Sequence, residues 1–194
     1  MQGLDRIFAR PSQLSVLRVL YHADEPLTGR EIERRCGLSN RATMTALEAL
    51  VEISAVQRDA TSSAYWYELN HTNYLVSKPI KQAFEAEDLF WNDFGKTVRR
   101  NIQPRPIAAV ATGPLARDET LSEGRVDLVM VFPTGRSRLR AFPALEGLAE
   151  AIHHRYGIEV EPNLLDVNTM DRSENDALWR RVEREGILLF GTLP

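Results

Sequence analysis

Apolar positions recur at helical spacing near the N-terminus and then give way to strand-like runs. Leu14, Leu17, Val19 and Leu20 form a stripe that predicts a helix over residues 12–22. Pro11-Ser12 starts it and Asp24-Glu25-Pro26 ends it. Leu27 reads as a short extended residue. Thr28 then fits an N-cap, with Glu31 three residues on to complete a capping box, and the second helix runs through Cys36 to Gly37. Ser39 is placed to cap a third helix that buries Leu47 and Leu50 and ends near Ile53-Ser54. Val56-Gln57-Arg58 and residues 65–69 read as two strands around the polar loop 59–63. Ile80, Phe84, Trp91, Phe94, Val98 and Ile102 then predict one long helix over 79–102. Pro104 and Pro106 end it, since neither can continue a helix and each forces an extended residue before it.

Beyond that break, strands and helices alternate. Strands are expected over 107–112, 126–132 and 158–165, helices over 143–155 and 175–185, and a last apolar segment over 187–190. Gly113, Gly157 and Gly186 close three of these elements.

Composition narrows the class. The chain has 194 residues, 43% hydrophobic and 26% charged, which is ordinary for a globular protein. No apolar run is long enough to span a bilayer and the N-terminus has no signal-peptide core, so no membrane partner and a cytoplasmic location are expected. A single cysteine, Cys36, excludes an internal disulfide or a cysteine zinc cluster and reads as a small hydrophobe at a helix end. The net charge of −3 argues against non-specific coating of nucleic acid but leaves room for a specific binder with placed arginines.

The segment LTGREIERRCGLSNRATMTALEALVEISAV, residues 27–56, joins two short helices through Gly37-Leu38-Ser39 and leads into the hairpin. It resembles the winged helix-turn-helix regulators of bacteria over about the first 70 residues. The resemblance implies double-stranded DNA as partner, with the third helix in the major groove. On it, Ser39, Asn40, Arg41, Met44 and Thr45 lie at the exposed N-terminal end of the recognition helix, and Arg58 lies at the base of the wing. Arg41 would pair with guanine or phosphate, Asn40 would read adenine or hold the backbone, and Ser39 would meet phosphate. Two features depart from the pattern. The family's glycine after the recognition helix is Ser54, and the wing carries Asp59 without a lysine or arginine at its tip. Residues 1–70 hold eight lysines and arginines against nine aspartates and glutamates. Specific binding would therefore need a homodimer to pool phosphate contacts. The aromatic stripe Phe84, Phe90, Trp91 and Phe94 offers either a dimer interface or packing within the chain.

The second half carries VATGPLARDETLSEGRVDLVMV, residues 110–131, and ends in ALWRRVEREGILLFG. These resemble the minimal nucleotidyltransferases over about 90 residues. Gly113 takes the motif glycine, and Ala116-Arg117 match its Ala-Arg. That family holds Mg²⁺ with two carboxylates one residue apart on a strand, whose side chains point the same way. Here the first is Arg125 and only Asp127 is kept. Pro114 replaces the phosphate-contacting serine, and Glu159 or Glu161 could stand in for a third carboxylate. The pattern Gly113, Arg117, Arg125, Asp127, Glu159 thus reads as a degenerate motif. No catalytic residue, metal ligand or cofactor is assigned. An arginine beside one aspartate forms an ion pair, although Arg117, Arg125 and Arg136 could still hold an anion such as a nucleotide. Thr134–Arg138 reads as a basic loop, and His153-His154 as a surface pair.

These readings predict an α+β protein: a winged helix-turn-helix (1–76), a long linker and dimerisation helix (77–103) and a nucleotidyltransferase-like α/β domain with a small mixed sheet (104–194). The expected function is a sequence-specific transcriptional regulator, a repressor, whose inactive second domain binds a nucleotide or a protein partner. Two alternatives stand beside it. One is an active nucleotidyltransferase that modifies a protein partner. The other is an antitoxin or regulator of a defence operon that acts by protein binding.

Overall fold

A computed structural model describes residues 3–8, 10–60, 64–117, 124–169 and 175–193. The fold is α+β, and the chain divides into two compact units, 1–88 and 89–194. Among the described residues no helix is long and apolar enough to cross a membrane.

The first unit contains α1 (Gly3–Phe8), α2 (Pro11–Tyr21), β1 (Leu27–Thr28), α3 (Gly29–Cys36), α4 (Asn40–Glu52), β2 (Val56–Ala60), β3 (Tyr65–Leu69) and α5 (Lys81–Asp88). Its sheet has the order β1-β3-β2, antiparallel throughout, so Leu27 pairs with Tyr67 and Arg58 with the same residue from the other side. Val16, Leu17, Leu20, Ile32, Leu47, Leu50, Tyr67 and Phe84 fill one core. The helix α1 was not signalled in the sequence. It is a turn and a half whose Ile7 is fully buried while Leu4 and Phe8 are exposed.

The second unit contains α6 (Phe90–Asn101), β4 (Ala108–Thr112), β5 (Arg125–Phe132), α7 (Gly135–Ala141), α8 (Leu145–Tyr156), β6 (Glu159–Asp166), α9 (Asp176–Glu185) and β7 (Ile187–Gly191). The sheet order is β6-β5-β4-β7, with β5–β6 parallel and the other pairs antiparallel, which makes it mixed as expected. Alternation of side chains along β4 and β5 builds two cores. Ala109, Ala111, Val126, Leu128, Met130 and Phe132 meet α6 and α8 on one face. Ala108, Val110, Val129 and Val131 meet Val182 of α9 on the other.

Three expectations are corrected. The long helix over 79–102 is instead a π-helical turn (Val76–Ile80), α5 and α6, interrupted at Leu89. The apolar positions do have helical spacing, but they serve two cores: Phe84 is buried in the first unit and Phe94 in the second. The basic segment 134–138 is not a loop. Thr134 caps α7 in a reciprocal capping box with Ser137, whose N–H donates to Thr134 Oγ1 at 3.2 Å. At Thr28 the box is half made. The Glu31 N–H donates to Thr28 Oγ1 at 3.3 Å, but the Glu31 carboxylate turns to Arg34 and Arg35.

Candidate functional sites

In the first unit, the turn between α3 and α4 is set by two residues. Gly37 lies in the left-handed region at φ 65°, where a side chain would be strained, and the Ser39 hydroxyl accepts the Ala42 N–H at 3.3 Å. This leaves Ser39, Asn40, Arg41 and Thr45 exposed at the N-terminal end of α4. Thr43 is turned inward and fully buried. Met44 is half-buried against the core and lies beside Gly29, so it presents only part of its side chain. Asn40 is partly committed, because its Nδ2 donates to Glu33 Oε2 at 2.8 Å and only the rest of the amide is open. Arg41 makes no ion pair among the described residues, whereas Arg34 and Arg35 on α3 are both tied to Glu31 at 2.6 and 2.7 Å. Hydrogen bonds from those two guanidinium groups hold the Glu31 carboxyl down at about 2.

Arg58 lies on β2 rather than with the α4 group. Its guanidinium stacks over the exposed Tyr65 ring at 4.9 Å. It also lies beside Tyr67, whose hydroxyl is pushed up by burial against the pull of Arg58. The wing tip, residues 61–63, lies outside the described residues.

Ser54 resolves the departure seen in the sequence. It takes φ 57°, the conformation a glycine would supply, and the Ala55 N–H returns to the Leu50 carbonyl at 2.9 Å to close the helix end. Sequence reasoning missed what holds this turn. Asn70 Nδ2 and Asn73 Nδ2 donate to the Ser54 carbonyl at 2.9 and 3.1 Å, and Asn73 also reaches the Ile53 carbonyl. The only available signal was an Asn-His-Thr-Asn turn after the last strand. Ser54→Gly removes the steric penalty at this φ and is expected to raise stability by about 0.5–1 kcal/mol, read as the denaturation midpoint.

In the second unit, Gly113 ends β4 at φ 95°, and a Cβ there would come 3.3 Å from the Asp127 carboxyl. Its carbonyl accepts the N–H groups of Ala116 and Arg117 and shapes a 3₁₀ turn (Pro114–Arg117). Asp127 points to the α9 face and is 5% exposed. Arg181 of α9 donates to its Oδ2 at 2.8 Å. Arg125 Nε lies 3.8 Å from its Oδ1, which makes no hydrogen bond among the described residues. Arg125 also pairs with Glu161 at 3.7 Å. In the β5–β6 register Glu161 stands opposite Asp127 and Glu159 opposite Arg125, so Glu161, not Glu159, shares the Asp127 site. Arg117 is drawn away to Glu185 at 2.9 Å, where Arg184 joins it at 3.1 Å. Burial works to raise the Glu185 carboxyl, but the hydrogen bonds from Arg184 and Arg117 outweigh it and hold it below its ordinary value. Arg136 is exposed on α7 and makes no ion pair with this group among the described residues. Residues 118–123 of the motif lie outside the described residues.

Among the described residues, then, Asp127 has two guanidinium groups around it and one further carboxylate already paired to Arg125. A divalent cation needs the reverse, two or more carboxylates free of cations. The described residues around Asp127 do not fit Mg²⁺. Arg181 was not singled out in the sequence, because it lies 54 residues from Asp127 and only the fold brings α9 over β5.

No family model matches the chain, and no curated protein is similar enough in sequence to match. Among solved structures the chain is similar to the adhesin competence repressor AdcR from Streptococcus pyogenes, at 16% identity and a TM-score of 0.39. That match covers 46% of this chain and 64% of the repressor, under two thirds of its length. It is also similar to a toxin–antitoxin solved with AMP-PNP, at 20% identity over 53% of this chain and 73% of that one, TM-score 0.36. A third likeness is to TrmBL2, an archaeal chromatin protein, at 11% identity over 94% of this chain and 76% of that one, TM-score 0.31.

Proposed function

We propose that this protein is a sequence-specific, DNA-binding transcriptional repressor that acts as a homodimer. Its nucleotidyltransferase-like second unit is without catalytic activity and serves to bind a ligand or partner. The observation that carries the reading is the end of α4: Ser39, Asn40, Arg41 and Thr45 stand exposed together on a capped helix that the first unit's core holds in place. An exposed helix end of this kind fits the major groove, and its hydroxyl, amide and guanidinium groups match phosphates and base edges. The near balance of charge over residues 1–70 favours two copies on one operator.

The test is binding to duplexes enriched from a random pool by the protein itself. Arg41→Ala is expected to weaken the selected duplex about tenfold, roughly 1.4 kcal/mol. Unchanged affinity would remove the recognition face from α4. Sedimentation of the complex should give two chains per duplex. For the second unit, radiolabelled ATP with Mg²⁺ is expected to give no transfer to protein or nucleic acid. Label transfer that Asp127→Ala abolishes would make the domain an enzyme.

A further inference from the structure

A cluster of cations lies outside both sites. Lys96, Arg99, Arg100 and Arg105 fall within ten residues of sequence that hold no aspartate or glutamate, in a chain of net charge −3. On α6 the opposite face, Phe94, Thr97 and Val98, is buried in the second unit's core, so Lys96 stands exposed with Arg99 and Arg100 about one helical turn further on. Their Cα atoms climb about 6 Å along the axis. Arg105 follows the helix, exposed between the buried Ile102 and Pro106. Pro106 restricts Arg105 to an extended backbone. Asp93, one turn before Lys96, is committed to Arg155 and Tyr156 at 2.7 and 2.8 Å. None of the four cations makes an ion pair among the described residues, although most other arginines of this unit do.

Two alternatives account for little of this. The α6 C-terminus carries about half a negative charge, which offsets a fraction of one cation out of four. The one exposed large apolar side chain within two residues of these cations is Ile107, at 39% exposure, which is too little apolar surface to insert into a lipid layer. The chemistry favours phosphate. Three of the four are arginines, whose planar fork suits phosphate oxygens. Arg99 rests on the Phe190 ring at 5.9 Å, and Arg105 is held by anchored backbone, so less freedom is lost on binding.

We propose that Lys96, Arg99, Arg100 and Arg105 form a second DNA-contacting surface that binds the phosphodiester backbone without reading sequence. This rests on the DNA-binding reading above and supplies phosphate contacts that the nearly neutral first unit lacks.

The test uses the full chain and a fluorescein-labelled random-sequence duplex, with anisotropy titrations over a range of KCl. Removing one cation from a phosphate should flatten the slope of log K against log[salt] by about 0.9. R99A/R100A/R105A is therefore expected to flatten it by about 2–3 and to weaken low-salt binding at least tenfold. R99K/R100K/R105K should keep the slope. R100Q and R105Q, made singly, should each flatten it by about 0.9 even if the triple variant folds poorly. A wild-type slope in the alanine and glutamine variants overturns the proposal. If those variants keep the DNA slope but no longer bind phosphatidylserine vesicles, the surface is a lipid site and the proposal again falls. If Arg41→Ala weakens the selected duplex while these variants do not alter the slope, only this inference fails. If the wild-type protein binds no duplex, both readings fail.

Discussion

Phe94→Ala is expected to destabilise the second unit by about 3–5 kcal/mol and to leave the first unit's stability nearly unchanged. Phe94 is fully buried on α6 and packs at 5.4–5.9 Å, ring centre to ring centre, on Phe90, Trp91 and Tyr156. Truncation leaves a cavity and takes the ring away from its three aromatic neighbours. A cost of that size is a large part of the roughly 5–15 kcal/mol that holds a domain together. Hydrogen exchange on the intact chain reads the two units separately. Amides of β4 and β5 should lose protection, and those of α4 should not. Phe84→Ala, at a residue buried against Tyr21 in the first unit, should give the opposite pattern. Equal loss of protection in both units from either variant would contradict the division at Leu89.

Arg181→Ala is expected to cost the second unit about 2–3 kcal/mol, because it strands a buried carboxylate. Asp127 is 5% exposed, its Oδ2 depends on Arg181, and among the described residues its Oδ1 has only Arg125, at 3.8 Å. The figure stays below that for a fully buried pair because the Arg181 side chain is 43% exposed and water screens it. Asp127→Asn made on top of Arg181→Ala should recover much of the loss, since a neutral amide needs no counter-charge. Urea denaturation of the four proteins in this cycle measures the coupling. Independent, additive effects would show that the ion pair is not what holds the buried Asp127 carboxylate.

Physical reasons separate the features that were legible in the sequence from those that were not. Ser39, Gly37 and the apolar spacing of α4 act within a few residues of one another, so helix, cap and turn could be read directly. The exposure of Asn40, Arg41 and Thr45 followed from the same periodicity. The single long helix failed because spacing reports which residues face a core but not which core. Phe84 and Phe94 keep a helical phase and still belong to different units. The α7 helix was hidden because its exposed Leu139 and its arginines give no apolar stripe, and its cap is made by Thr134 and Ser137.

The sequence by itself determined the local structure of this protein: the two capped helices joined at Gly37, the hairpin after them, and the alternation of strands and helices in the second unit. Those depend on backbone preference and neighbouring residues. Tertiary structure decided what long-range partners settle. It set Arg181 on Asp127 and drew Arg117 to Glu185. It put Glu161 rather than Glu159 across from Asp127, and it latched Ser54 in a glycine's conformation through Asn70 and Asn73. Each of these pairs residues from separate elements, and charge and hydrogen-bond demand can choose among such partners only after the chain has folded.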